Sequence, residues 1–77
     1  MDEVITLDNG TEYLILDKEE IDGTIYTLFV NEKDNSDFCF RKTVIEDGKR
    51  YYAYLNDKKE FEKVLLVFTK KNLNSQG

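Results

Sequence analysis

The chain has 77 residues and a formal net charge of −5, with 40% apolar and 35% charged residues. A chain of this length forms one domain and buries only about 60% of the surface that its unfolded form exposes, which leaves room for one small core and no deep cleft. Five Tyr and five Phe exclude a disordered chain, and the acidic surplus disfavours direct binding to nucleic-acid phosphates.

Turn signals divide the first part of the chain into strand-like runs. Asp8-Asn9-Gly10, Asp22-Gly23 and Asp47-Gly48 offer residues that tolerate the positive φ of tight hairpin turns, and residues 31–37 form a longer polar loop. Because the connections between consecutive strands are short, the pattern predicts an antiparallel meander of four to five strands. The predicted strands are residues 4–7, 11–16, 24–30, 38–46 and 50–55.

Two of these runs also indicate the position of the strand in the sheet or the direction of its side chains. Residues 24–30 are apolar on both faces, which is typical of a central strand. Residues 38–46 begin by alternating, with Phe38 and Phe40 on one face and Cys39 and Arg41 on the other.

The last predicted element is a helix from about residue 58 to residue 71. Asp57 and Glu60 have the spacing of a capping box, in which Asp57 accepts from the Glu60 amide while Glu60 reaches back. Lys70 and Lys71 would suit the negative pole of the helix dipole. An apolar stripe follows at i, i+3, i+4 and i+7 and predicts one face packed on the sheet. Its members are Phe61, Val64, Leu65 and Phe68.

The predicted architecture is a single α+β domain over residues 1–77. It consists of an antiparallel β-meander of four to five short strands within residues 4–55, one C-terminal amphipathic helix packed on one face, and a frayed tail at residues 72–77. We expect a cytoplasmic protein without membrane association, because the N-terminus lacks the basic and apolar regions of a signal peptide and no apolar run spans a bilayer. The oligomeric state stays open, since edge strands could pair with a second copy.

Short motifs in a fixed order resemble a known family. They are Ile5-Thr6-Leu7, Asp8-Asn9-Gly10, Tyr13 to Asp17, Ile21-Asp22-Gly23 with Tyr26, Val44 to Gly48, Leu55-Asn56-Asp57, and Glu60 to Val64 with Phe68. In this order, from about Val4 to Phe68, the chain is similar to the YrzB-like family of small acidic bacterial proteins of unknown function. The middle loop departs from the longer acidic tract of that family, because residues 32–37 are shorter and include Lys33. The resemblance implies a bacterial protein and brings no activity or site residues.

The candidate catalytic and metal-binding residues lack the partner residues that catalysis or metal binding requires. The chain has no His, and its one cysteine, Cys39, lies between two aromatic residues without a base in sequence. Asp34, Asn35 and Asp37 lack the spacing, glycine and terminal Glu of a calcium loop. We therefore predict no enzyme, no metal site and no cofactor.

Two functions outside catalysis remain, and each has candidate residues. The first is a protein-binding or regulatory module, with a contact surface that would include Tyr51, Tyr52 and Tyr54, because Tyr is enriched at interfaces. The alternative is an acidic mimic of nucleic acid, of the phage or mobile-element type, that inhibits a DNA- or RNA-binding protein. Its candidate stripe is Asp17, Glu19, Glu20 and Asp22. In either case the expected partner is another protein.

Overall fold

A computed structural model describes residues 4–7 and 10–76 of the chain. Its elements are β1 Val4–Thr6, β2 Glu12–Ile21, β3 Thr24–Asn31, β4 Phe38–Glu46, β5 Lys49–Ala53 and α1 Lys58–Gln76. The strands form one antiparallel, curled sheet in the order β1-β2-β3-β4-β5. The predicted α+β meander with one C-terminal helix is therefore confirmed, with five strands. Residues 8–9 of the first predicted turn lie outside the described residues.

The second strand is longer than its sequence predicts. Residues 17–21 are rich in acids, yet they continue β2 and pair with β3 as far as Ile21 opposite Thr24. Between Ile15 and Asp17 the register shifts, so Leu16 has no partner on β3. Such a bulge bends the strand and re-aims side chains next to it. Pairing with β3 decides the length of β2, because each added pair satisfies backbone groups whatever the side chain is.

Both described two-residue turns have the conformation that their sequences predict. Asp22 and Gly23 connect β2 to β3 with φ of 52° and 83°, and the β4–β5 turn at Asp47 and Gly48 has φ of 52° and 76°. Positive φ at both central positions defines the type I′ turn, whose twist matches that of the flanking strands.

The sheet buries side chains on both faces. On one face Tyr26, Leu28 and Phe40 pack with Val64 and Phe68 of α1. On the other face the curl of the sheet encloses a second cluster, formed by Leu7, Tyr13 and Phe29. β3 contributes to both clusters and lies at the centre of the sheet, as its two apolar faces predict.

The helix contacts the sheet along a narrow line. Of the predicted stripe, Val64 and Phe68 are 0% and 2% exposed, whereas Phe61 and Leu65 remain 40% and 37% exposed. The backbone of α1 also continues beyond residue 71 to Gln76, so its last turn holds no basic residue and Lys71 serves another purpose, described below.

Candidate functional site

Lysines of α1 pair with the acidic segment that ends β2. Lys71 Nζ lies 2.9 Å from Asp17 Oδ1 and 3.0 Å from Glu19 Oε2. Lys63 forms an ion pair with Asp22 in the β2–β3 turn. The two lysines thus tie α1 to one border of the sheet, and they use three of the four carboxylates in the predicted acidic stripe.

The fourth acid of that stripe, Glu20, points to the opposite face of the sheet from Asp17 and Glu19. Glu20 pairs with Ile25 on β3, while its neighbour Glu19 pairs with Tyr26. Because successive strand residues point to opposite faces, Glu20 lies on the face that α1 does not cover. The four acids therefore do not form one continuous row.

The three predicted contact tyrosines are also divided between environments. Tyr52 packs edge-on against Phe29, with 5.1 Å between ring centroids, and Tyr54 lies 4.2 Å beneath the Arg41 guanidinium. Tyr51 pairs with Val44 on the opposite face of the sheet. All three rings are exposed in part, but they do not form a single surface.

The carboxylate of Glu60 joins the start of α1 to β3 and β4. It accepts from the Tyr26 hydroxyl at 2.7 Å and from Lys42 Nζ at 3.3 Å. It also accepts from the Asn56 amide, while the Glu60 amide donates to Asp57 Oδ1 at 2.9 Å. The predicted hydrogen bond from the Glu60 amide to Asp57 is therefore confirmed. The Glu60 side chain also reaches back, but it accepts from the amide of Asn56, one residue before the Asp57 cap.

These contacts shift the pKa values of Glu60 and Tyr26. Burial would by itself raise the pKa of Glu60, but the Asn56 amide, the Tyr26 hydroxyl and the Lys42 ammonium together hold it below its usual value. Burial, followed by the hydrogen bond to Glu60, raises the pKa of Tyr26 to about 12. Glu60 is thus held ionised and Tyr26 neutral at neutral pH, which suits a structural link between helix and sheet.

An apolar groove lies beside α1, at the end of the sheet that leads into the loop of residues 31–37. It has a volume of about 210 Å³, and Asn35 of the loop and Thr69 of α1 lie at its edge. Its floor is formed by core residues and its walls by exposed ones. The floor is Leu28, Phe40 and Phe68, and the walls are Leu16, Phe38 and Leu65.

The groove exists because α1 covers only part of the sheet face. Glu60 anchors the first turn of α1 near Tyr26, and Lys71 anchors its later part near Asp17. The face beyond this line is left open, and the bulge places Leu16 in its wall. Leu16 and Phe38 are 64% and 47% exposed there. We refer to this surface, walled by Leu16, Phe38 and Leu65, as the α1 groove.

A second hollow, of about 380 Å³, lies between the β1–β2 connection and the 31–37 loop. Its lining is mostly polar, with Thr6, Thr11 and Asn31 among its residues.

Two further findings concern residues 4–7 and 10–76. No group of three or more His, Cys, Asp or Glu side chains among them is arranged to hold a metal ion. Nor does any helix in that part of the chain combine the length and apolarity needed to cross a bilayer.

A scan against protein-family models and searches of curated proteins and of solved structures find no match to this chain. The resemblance to the YrzB-like family therefore stays a prediction.

Sequence reasoning missed the α1 groove. Leu16 and Phe38 are apolar residues at the limits of predicted strands, where burial is the ordinary expectation. The apolar stripe of α1 does not indicate the groove either, because the number of stripe residues that a helix buries depends on how it crosses the sheet.

Proposed function

We propose that the chain is a non-enzymatic protein-binding module and that the α1 groove is its contact surface. The observation that carries the proposal is the exposure of Leu16, Phe38 and Leu65 around one concave apolar surface. Single exposed apolar residues are ordinary, whereas a contiguous apolar surface with a polar rim is typical of protein contacts.

The dimensions of the groove support a protein side chain as its occupant. At about 210 Å³ it is smaller than the roughly 300–1,000 Å³ of common small-molecule sites. Its floor consists of Leu28, Phe40 and Phe68, which are fixed by core packing. A partner would therefore meet a preformed surface and lose little affinity to reorganisation.

The acidic alternative has less support. A mimic of nucleic acid needs carboxylates that are free to enter a basic cleft. Asp17 and Glu19 share Lys71, and Asp22 is paired with Lys63, so most of the candidate stripe is already engaged within the chain.

Two adjacent leucines of α1 allow a matched test. Leu65 lines the groove, while Leu66 is 54% exposed on the same helix and lies outside the groove lining. Each is replaced by Gln, a good helix former, so both variants should keep the fold. Wild type and both variants are immobilised, and proteins retained from the lysate of source cells are quantified by mass spectrometry.

The expected result is a protein retained by wild type and by Leu66→Gln but lost from Leu65→Gln. Its purified form should then bind the wild-type chain in a calorimetric titration and bind Leu65→Gln at least about tenfold more weakly, since removing an interface anchor costs about 1–2 kcal/mol or more. Equal retention by both variants, or no retention above bare resin, would refute the proposal.

A further inference from the structure

The charges around the α1 groove indicate which kind of partner it takes, an inference that rests on the proposed protein-binding function. We propose that the groove binds an amphipathic helix of another protein, with basic residues on both sides of its apolar stripe.

One end of the groove borders an acidic loop. Asn35 lines the groove, and the loop that contains it carries three acids, Glu32, Asp34 and Asp37, against the single base Lys33, or 1 − 3 = −2. All four side chains are exposed. The hydroxyl and amide of Ser36 donate to Asp34 and hold its pKa below the usual value, so this carboxylate is charged at neutral pH.

The opposite wall of the groove also adjoins a negative surplus. Asp17 directly follows Leu16, and on the face that α1 crosses Asp17 and Glu19 share the single ammonium of Lys71, which leaves 1 − 2 = −1. Lys18 lies between them in sequence but points to the opposite face, where it pairs with Thr27. An apolar surface with net negative charge on both flanks favours an apolar segment flanked by Lys or Arg.

The geometry of the uncovered surface suits a helix. Phe61 and Leu65 lie four residues apart and form an exposed row along α1, while Leu16 and Phe38 continue the surface on the sheet. A helix laid beside α1, at the usual axial separation of about 8–10 Å, would contact this row and the sheet together. Apolar residues at i, i+3, i+4 and i+7 would supply its anchors.

A second copy of the chain is a poorer occupant. Each copy carries a net charge of −5, so two copies repel each other. Two of the helix lysines that could meet the acidic flanks of a second copy already form ion pairs within their own chain, because Lys63 pairs with Asp22 and Lys71 with Asp17. The charge pattern thus selects a different, basic chain.

Synthetic helices provide the probe. Three peptides of about five turns share one length. The first carries a Leu stripe with Lys and Arg flanks, the second carries the same stripe with Glu flanks, and the third keeps the basic flanks but has Ser in place of Leu. Each is titrated into the full isotope-labelled chain and followed by amide chemical shifts. Salt is set at about 0.15 M and then 1 M, where the Debye length falls from about 8 Å to 3 Å.

We expect the basic Leu-stripe peptide to bind at least about tenfold more tightly than the other two at the lower salt, with shifts centred on Leu16, Phe38 and Leu65. The double variant Glu32→Gln/Asp34→Asn should weaken this binding about 3- to 10-fold, because each exposed ion pair contributes little. The matched control Glu46→Gln/Asp47→Asn removes the same charge at the other end of β4 and should leave affinity unchanged.

Each contrary outcome has its own meaning. Equal affinity for the basic and acidic Leu-stripe peptides would overturn the choice of a basic partner and leave the proposed function standing. Equal binding of the Ser peptide would overturn the inference by showing attraction through charge alone. If no Leu-stripe peptide binds, or if the chain dimerises through the groove, the helical partner is wrong, and the Leu65→Gln comparison decides the proposed function separately.

Discussion

Replacing Glu60 by Gln tests the link between α1 and the sheet. Gln has nearly the same shape but carries no charge and only one acceptor oxygen. In the wild-type chain two carboxylate oxygens serve the Tyr26 hydroxyl, the Lys42 ammonium and the Asn56 amide. The substitution therefore removes at least one acceptor and leaves Lys42 without its counterion.

The expected loss of stability is about 2 kcal/mol. A hydrogen bond to a charged group contributes about 1.5–3 kcal/mol, and one such bond is lost outright. The Lys42 and Glu60 side chains are only 16% and 18% exposed, so water compensates little for the missing partner. Against this, the neutral Gln avoids part of the desolvation that the carboxylate undergoes. For a domain of this size, each kcal/mol lowers Tm by about 4–8 °C, so Tm should fall by about 8–16 °C.

The assay is thermal and urea unfolding followed by circular dichroism. The matched control is Glu62→Gln, which removes the same charge from an exposed position one half-turn further along α1. Surface substitutions of this kind change stability by less than about 0.5 kcal/mol. If both variants unfold within about 0.5 kcal/mol of each other, Glu60 is not the anchor that its contacts indicate, and the reasoning fails.

Four other predictions concern individual residues. Phe68→Ala should leave the chain largely unfolded by circular dichroism, because losing a buried Phe costs about 3–5 kcal/mol, whereas Leu66→Ala at an exposed position should stay folded. Gly23→Ala should cost about 1 kcal/mol in urea unfolding, since φ is +83° and nothing within 4 Å meets the new Cβ, so the penalty lies in the backbone alone. Thr27→Val should raise stability by about 1 kcal/mol, because the buried Thr27 hydroxyl has no hydrogen-bond partner among the described residues. The stability that the ionised Glu60 contributes should be fully present above the ordinary Glu pKa and should be lost as pH falls through its lowered pKa. In an acid titration, the Glu60→Gln variant should lack this part of the pH-dependent loss.

The order of the elements could be predicted because local signals and the global fold agree. Asp22-Gly23 and Asp47-Gly48 specify tight hairpins by their tolerance of positive φ, and both adopt it. Residues 24–30 are apolar on both faces, which only a central strand can bury. Each of these signals acts over a few residues, so the sequence alone carries it.

The length of β2 and the pairing of its acids could not be predicted in the same way. Residues 17–21 have the composition of a surface loop, and they become strand because β3 offers backbone partners across a tight turn. Asp17 and Glu19 meet Lys71 more than fifty residues away, through the crossing of α1 over the sheet. Contacts at such separation depend on the packed arrangement and leave no local pattern.

Turn chemistry and capping act between neighbouring residues, so the local sequence specifies the meander, its two described hairpin turns and the start of α1 at the Asp57 cap. Which apolar residues stay uncovered depends instead on how the helix packs against the sheet. Glu60 and Lys71 fix the line along which α1 crosses the sheet, and that line buries Val64 and Phe68 but leaves Leu16 and Leu65 open. The α1 groove results from this placement, because a helix held along that line leaves the sheet surface beside Leu65 and Thr69 uncovered.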